Sequence, residues 1–301
     1  YSRGSVLVVG GSTRFPGAAI MAAKAAARAG AGYVTLAVPE PIANLCRAHL
    51  LEIPVVGLAA DADGTFSNEA RAQVAQLAER RSAVLVGPGM CVTGGTVGVV
   101  STLLESEAPL VVDADGLNSL ARLTSNRLDE FPELLRRKAP LVLTPHRREL
   151  GRLVGLTDAA PSSLTSALEA ARRIVWADGG SELVVVAKGT ATACVGVEIA
   201  MLPKPGPACL ATAGSGDVLA GIMAGLLARG VETESLPTLT AFACEVHGYA
   251  ASIAQERFGT RGVMAADIID VIGLAVDAVE DRAAFSGADD VTPSDEGDAR
   301  N

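Results

Sequence analysis

The sequence predicts an α/β fold, a three-layer αβα sandwich around a mostly parallel central sheet, and two observations predict it. Short apolar runs alternate with helical stretches over the first two-thirds of the chain, which is the order of βαβ units. Those runs are continuously apolar rather than alternating, as expected of strands covered on both faces. Val6–Val9, bounded by Gly10 and Gly11, reads as a buried strand. Pro16 to Ala29 is rich in alanine, with proline at its start and Gly30 just past its end, and reads as a helix. Tyr33–Val38, Val84–Val86, Leu110–Val112, Leu141–Leu143 and Leu183–Val186 repeat the strand pattern, with helices over Asn68–Glu79 and Ser163–Trp176. From about residue 215 onward the chain reads as helical: Gly216–Ala228, Leu236–Glu256, then Ala265–Val279. No internal repeat is visible. The expected organisation is one domain over residues 1–282 and an acidic disordered tail over residues 283–301, where Asp289, Asp290, Asp295, Glu296 and Asp298 stand among few apolar residues.

Composition narrows the classes of function. Of 301 residues 49% are hydrophobic but only 3% aromatic, so the core must be built from Ala, Val, Leu and Ile, and layers can approach closely. With 25 Lys+Arg against 34 Asp+Glu, the net charge of -9 argues against a sequence-independent nucleic-acid binder, which needs a basic face. Five cysteines (Cys46, Cys91, Cys194, Cys209, Cys244) are scattered and form no C-x-x-C pair. That pattern fits reduced, mostly buried thiols in a cytoplasmic protein and carries no zinc signal. Lys24 and Arg28 interrupt the apolar stretches near the N-terminus, so no membrane span is expected. No signal peptide is visible; the chain opens almost directly on a strand, which leaves room for a trimmed leader or preceding domain.

The strongest chemical signal is Ala211-Thr212-Ala213-Gly214-Ser215-Gly216-Asp217-Val218-Leu219-Ala220-Gly221. Small residues lead into a glycine-spaced turn that opens an apolar helix. Such a turn leaves backbone N–H groups pointing outward, and with the helix dipole they form an anion hole suited to a phosphoryl group. Asp217, in the first helical turn, is placed to accept a proton from an attacking hydroxyl while those amides hold the developing charge. An isolated G-x-G-D could equally be a helix cap with packing glycines; eleven agreeing residues favour function. Neither Gly214-Ser215-Gly216 nor Gly87-Pro88-Gly89 is followed by the third glycine of a dinucleotide fingerprint, and no G-x-x-x-x-G-K-[ST] exists.

The Ala211–Gly221 segment resembles the anion-hole motif of ribokinase-like kinases, and the surrounding motifs narrow the resemblance to the ADP/ATP-dependent NAD(P)H-hydrate dehydratases, the carbohydrate-kinase-domain repair enzymes. Val9-Gly10-Gly11-Ser12 with Phe15-Pro16-Gly17-Ala18-Ala19 is similar to their G-G-S…Y-P-G-A-A, and Val86-Gly87-Pro88-Gly89 to their G-P-G loop. Val112-Asp113-Ala114-Asp115-Gly116-Leu117-Asn118 resembles D-A-D-A-L-N, Leu143-Thr144-Pro145-His146 with Glu149 resembles T-P-H-x-x-E, and Lys188-Gly189 with Thr192 resembles K-G-x-x-T. The likeness runs from about Val6 to Val279.

That resemblance implies a ribokinase-like fold with Asp217 as catalytic residue. Nucleotide phosphates would lie at Gly214, Ser215, Gly216 and Asp217, with ribose and base near Lys188, Gly189, Thr190, Ala191 and Thr192, a turn between two strands. The substrate, NADHX or NADPHX (a nicotinamide nucleotide hydrated at C6), would contact Ala18, Gly89 and His146, with Asp217 in reach of its hydroxyl. The family phosphorylates that hydroxyl with ADP or ATP and expels phosphate, regenerating NADH or NADPH. Mg²⁺ would bridge phosphate oxygens, and a homotetramer is the assembly the likeness implies. Two other readings stay open: a ribokinase-like kinase of the thiamin-precursor type that phosphorylates and stops, and a non-catalytic nucleotide-binding protein.

Several positions carry two readings. Asp113 and Asp115 could hold metal or water, or cap the helix at Gly116. Asn118 could face a ligand or be a polar helix residue. Glu149 could order Mg²⁺ through water or lie on a solvated helix face. Lys188 could meet phosphate or stand in solvent, and His247 reads as packing or a subunit contact. The chain also departs from the family pattern: Phe15 stands for the usual Tyr, Arg147-Arg148 for Pro-Gly, Cys91 for a common glycine, and Pro207-Ala208-Cys209-Leu210 precedes the anion hole where G-M is usual. The paired arginines could meet substrate phosphates, including the extra one of NADPHX, or be solvated surface.

Overall fold

The computed structural model describes residues 3–125, 137, 139–156, 160–177, 182–230 and 235–288. In chain order they form β1 (Ser5–Val9), α1 (Pro16–Arg28), β2 (Tyr33–Pro39), α2 (Glu40–His49), β3 (Val55–Leu58), α3 (Ala70–Ala78), β4 (Ala83–Val86) and α4 (Gly94–Leu104). β5 (Leu110–Val112), α5 (Asp115–Leu123), β6 (Leu141–Leu143), α6 (Arg147–Leu153), α7 (Leu164–Ala177), β7 (Leu183–Ala187), β8 (Ala193–Val195) and β9 (Ala200–Met201) follow. A 3₁₀ turn (Ala208–Leu210) then leads into α8 (Ser215–Ala228), α9 (Leu236–Phe258), α10 (Ala265–Asp270) and α11 (Ile272–Ala288).

The strands make one sheet in the order β3-β2-β1-β4-β5-β6-β7-β8-β9. Every pairing from β3 to β7 is parallel, and the β7–β8 and β8–β9 pairings are antiparallel. Successive strand residues go to opposite faces. Val6, Val8, Leu85, Val111 and Val184 face the layer of α1, α2, α8 and α9, whereas Leu7, Val9, Val84, Val86 and Leu110 face α3 through α7. Both faces are dry, which is why these strands carry no polar alternation. The three-layer sandwich is therefore the fold observed.

Small side chains set the spacing of the inner helices. Ala19, Ala22, Ala23, Ala25 and Ala26 of α1 are buried, and α8 lies directly on them. A Cβ at Gly221 would stand 2.3 Å from the Ala22 carbonyl oxygen, and one at Gly225 would stand 2.6 Å from that of Ala26. Because backbone rather than a flexible side chain occupies that space, Gly221→Val must push the helices apart. It is expected to destabilise the fold by about 3 kcal/mol, read as a lowered midpoint in urea unfolding.

The observed elements depart from the sequence reading in several places. β3 and β9 were not anticipated. The single helix expected over Ala265–Val279 is two, because Val271 leaves helical geometry (φ -110°, ψ 5°) and Gly273 just beyond it is a poor helix former. Finally, α11 runs to Ala288, so residues 283–288, which the sequence places in the tail, are helical. The rest of the expected tail, residues 289–301, lies outside the described residues. Among the described residues no helix is long and apolar enough to cross a membrane, and all five cysteines are free thiols, Cys91 the least buried.

Candidate functional site

Parallel strands deliver their C-terminal ends to one edge, where ligands of open α/β sheets bind. Here the edge collects Gly87–Gly89 after β4, Asp113–Asp115 after β5, Thr144–His146 after β6 and Lys188–Thr192 after β7. The loops are pressed together. Gly87 has φ +127°, and a Cβ on it would fall 1.8 Å from the Asp113 carbonyl oxygen. At Gly89 (φ +69°) a Cβ would meet the Phe15 carbonyl oxygen at 2.5 Å and the Ala18 methyl at 3.0 Å, so Ala18 and Gly89 are neighbours. Cys91, where the family pattern has glycine, adopts φ +59°. It therefore keeps the left-handed backbone that glycine favours, and its N–H donates to Asp115 Oδ2 at 2.9 Å. Ala114, between the two aspartates, also has positive φ, at φ 49°, ψ -119°.

Asp113 is the hub of this edge. It is 1% exposed, and its Oδ1 accepts from Lys188 Nζ at 2.7 Å and from Thr144 Oγ1 at 2.6 Å. Lys188 is thus not a solvated turn residue: it follows β7, its N–H donates to the Pro145 carbonyl at 2.8 Å, and its ammonium is paired in the interior. Burial alone would lower the Lys188 pKa, but Asp113 and Glu149 outweigh it and hold the ammonium charged. Asp113 does not cap α5, whose N-cap is Ala114 with no side-chain bond. Asp115 Oδ1 accepts from Asn118 Nδ2 at 3.1 Å, and Asn118 Oδ1 accepts from Arg152 at 2.6 Å.

His146 caps α6. Its Nδ1 accepts the Arg148 and Glu149 N–H groups, both at 3.1 Å, while Glu149 Oε2 accepts the His146 N–H at 2.8 Å, a reciprocal capping box. Two donors at Nδ1 keep the imidazole neutral with its proton on Nε2, which faces Glu149 Oε1 at 3.3 Å. Burial, then the Lys188 charge, push its pKa down in keeping with that. Glu149 is 5% exposed, not on a solvated face, and burial lifts its carboxyl to about 7. Arg147 and Arg148 are exposed beside this cap.

The glycine-spaced turn opens a helix, as its sequence indicates. Gly214 is left-handed (φ 85°) and starts α8 with no side-chain cap; a Cβ there would strike the Met21 methyl at 2.5 Å. The first amides of a helix have no carbonyl of their own to bind, and Asp217 stands in that first turn. Lys188 Nζ lies 3.4 Å from where a Gly216 Cβ would be, so ammonium, helix mouth and Asp217 adjoin. Burial first, then the Asp113 charge, lift the Asp217 carboxyl to about 7, with Lys188 opposing.

Beside the mouth is a cavity of about 480 Å³ lined by Gly189, Thr190, Thr192, the segment Pro203-Lys204-Pro205-Gly206-Pro207, Ala211, Leu219, Cys244 and His247. Ala191 completes that turn, its carbonyl oxygen 3.1 Å from where a Gly189 Cβ would be. The sequence-derived residues thus gather at one edge: Ala18, Gly89, Asp113, Asn118, His146, Glu149, Lys188 to Thr192, and Gly214 to Asp217. Reasoning from sequence missed Lys204, the Lys188–Asp113 pair and His247, whose Nε2 lies 3.2 Å from Ser215 Oγ. A histidine on the alanine-rich face of α9 was the available signal for the last.

A family profile described as NAD(P)H-hydrate dehydratase matches residues 6–273. The bifunctional NAD(P)H-hydrate repair enzyme Nnr of Salinibacter ruber is 39% identical over 279 residues, 90% of this chain and 48% of that protein. The ADP-dependent (S)-NAD(P)H-hydrate dehydratase of Xanthomonas campestris is 34% identical over 272 residues, 88% of this chain and 86% of that one. A solved Bacillus subtilis ADP/ATP-dependent NAD(P)H-hydrate dehydratase, co-crystallized with ATP/Mg²⁺ and soaked with CoA, aligns with a TM-score of 0.74 at 24% identity, covering 92% of this chain and 93% of that one; this likeness speaks for the fold. The chain spans about half the length of the bifunctional relatives it matches.

Proposed function

Because the chain belongs to the NAD(P)H-hydrate dehydratase family, we propose that it uses ADP or ATP to convert NADHX and NADPHX back to NADH and NADPH. One observation carries the reading: a half-buried carboxyl, Asp217, lifted to about 7 and set in the first turn of a helix with no side-chain cap. A base near the working pH is well matched to deprotonating a hydroxyl, and the amides suit the transferred phosphoryl group.

On this reading the nucleotide spans the site, with its base in the cavity at Gly189–Thr192 and its phosphates at Gly214–Gly216. Asp217 takes the proton of the C6 hydroxyl as that oxygen attacks the terminal phosphorus. The ring nitrogen's lone pair then expels phosphate, and loss of a C5 proton restores the dihydropyridine. Ala18, Gly89 and His146 line the substrate side, His146 offering a neutral Nε2–H donor. Mg²⁺ keeps most of its waters and binds few protein carboxylates, so it would arrive on the nucleotide. Asp113, Asn118 and Glu149 would reach it only through water, since each already holds partners within the protein. Among the described residues no group of three or more His, Cys, Asp or Glu is gathered to hold a metal, as fits an ion carried by phosphates. A cytoplasmic homotetramer is the form expected on this reading, and light scattering reads the assembly.

The deciding experiment supplies hydrated NADH or NADPH with ADP and ATP in parallel and follows the near-ultraviolet absorbance of the dihydronicotinamide. Recovery with either nucleotide supports the reading. Consumption of nucleotide without recovery identifies a kinase that stops at the phosphate ester, and no reaction rejects both.

The pH profile is a second check. Asp217 is protonated below about 7, so kcat/KM is expected to fall about tenfold per pH unit on the acid side of that value. Glu149 titrates in the same range. The acid limb should survive in Glu149→Gln; if it disappears there, Glu149 and not Asp217 sets it.

A further inference from the structure

We propose that His247 is a positioning residue for phosphate capture: its imidazole holds the Ser215 hydroxyl with the O–H directed at the bound nucleotide phosphate. The proposal rests on the reading that the nucleotide phosphates lie at the mouth of α8.

Ser215 is the first residue of α8, between Gly214 and Gly216, and its own N–H is spent on the Thr212 carbonyl at 3.3 Å. Its main chain therefore has no donor left for an anion, and the hydroxyl is what it can contribute. That hydroxyl is buried and stands 3.2 Å from His247 Nε2. Two arrangements of one proton pair are possible. If Ser215 donates to Nε2, its oxygen presents lone pairs to the phosphate, which repels. If Nε2–H donates to Oγ, the hydroxyl proton is free to complete the donor set around the anion, and hydrogen bonds to charged acceptors are the strong ones. A bound phosphate selects the second arrangement.

The surroundings favour a neutral ring that can serve this way. His247 is 6% exposed, and burial together with the Lys188 charge pushes its pKa down to about 4. It carries one ring proton at working pH, which the phosphate can call to Nε2. The next residue, Gly248, packs on Gly206 with a Cβ position 3.3 Å from the Gly206 Cα, so α9 is seated against the segment that walls the cavity. His247 lines that same cavity. One side chain thus connects the base end and the phosphate end of a single ligand.

The test is a double-mutant cycle on nucleotide affinity, measured by calorimetry with ADP and with ATP, each with Mg²⁺, on wild type, Ser215→Ala, His247→Phe and the double variant. Ser215→Ala and His247→Phe should each raise Kd about tenfold or more. The double variant should be no weaker than Ser215→Ala alone, and His247→Gln, which keeps an N–H donor, should recover most of the loss. Adenosine, which lacks phosphate, should lose much less affinity in His247→Phe than ADP or ATP does. The proposal is overturned if His247→Phe weakens binding by the same factor in the Ser215→Ala background, if it leaves Kd unchanged, or if adenosine affinity falls in step with that of the nucleotide. Should His247→Phe fail to fold, His247→Asn, too short to reach Oγ, takes its place in the cycle. Wild-type protein that binds neither nucleotide overturns the dehydratase reading along with this one, whereas tight binding with additive variants overturns only the role of His247.

Discussion

Asp217→Asn is expected to lower turnover by roughly 10²–10⁴-fold, the usual contribution of a general base, without loss of nucleotide affinity. Asparagine keeps the shape of the side chain and cannot accept the hydroxyl proton. The carboxyl it replaces is lifted to about 7 by burial and by Asp113, so near neutrality it is already uncharged in part of the population, and the amide imitates that form. Where the carboxylate is charged it repels a phosphate; removing it should leave nucleotide Kd the same or slightly tighter. Single-turnover kinetics with either nucleotide, alongside calorimetry, separate the two effects. Wild-type turnover in the variant would remove Asp217 from proton transfer, and lost nucleotide binding would make it a binding residue instead.

Lys188→Met should produce the largest loss of stability, about 3–5 kcal/mol. Asp113 is 1% exposed and would keep only the Thr144 hydroxyl for its charge. The cost comes from the stranded carboxylate rather than from the lost attraction, so adding Asp113→Leu to Lys188→Met should return much of it. Urea unfolding of the two single variants and the double variant reads this directly. A loss below about 1 kcal/mol for Lys188→Met would mean that the pair is hydrated and not sealed. Lys188 also opposes the rise in the Asp217 pKa, so any folded Lys188→Met protein should show its acid limb at higher pH than wild type.

The layered fold was legible because both faces of the sheet are buried: runs such as Val6–Val9 and Leu110–Val112 can be nothing else in a chain this rich in valine and leucine. β3 was not legible. Its four residues Val55–Leu58 include a glycine and are only half-buried apart from Leu58, so they carry neither the length nor the density of a central strand. The helix start at Ser215 was legible to within one residue, since Gly214 and Gly216 mark it. What pairs with what was not. Lys188 and Asp113 are 75 positions apart, and only parallel strands running to a common edge bring them together. Glu149 read either as ordering Mg²⁺ through water or as lying on a solvated helix face, because nothing in the sequence shows that a capping box buries its carboxylate by folding it back on His146. The exchange of glycine for Cys91 was visible, but that the cysteine would retain the left-handed backbone was not. His247 looked like filler because nothing local in α9 reveals that Ser215 lies across from it.

The contact between α1 and α8 has a consequence for how the protein handles ligands. With carbonyl oxygens standing where side chains at Gly221 and Gly225 would be, the helix that Gly214 opens has no slack in which to tilt or slide. On the proposed reading that end is the fixed anvil of the site, and adjustment to nucleotides of different length falls to the opposite wall, where the Pro203–Pro207 segment lines a cavity and touches α9 at Gly206.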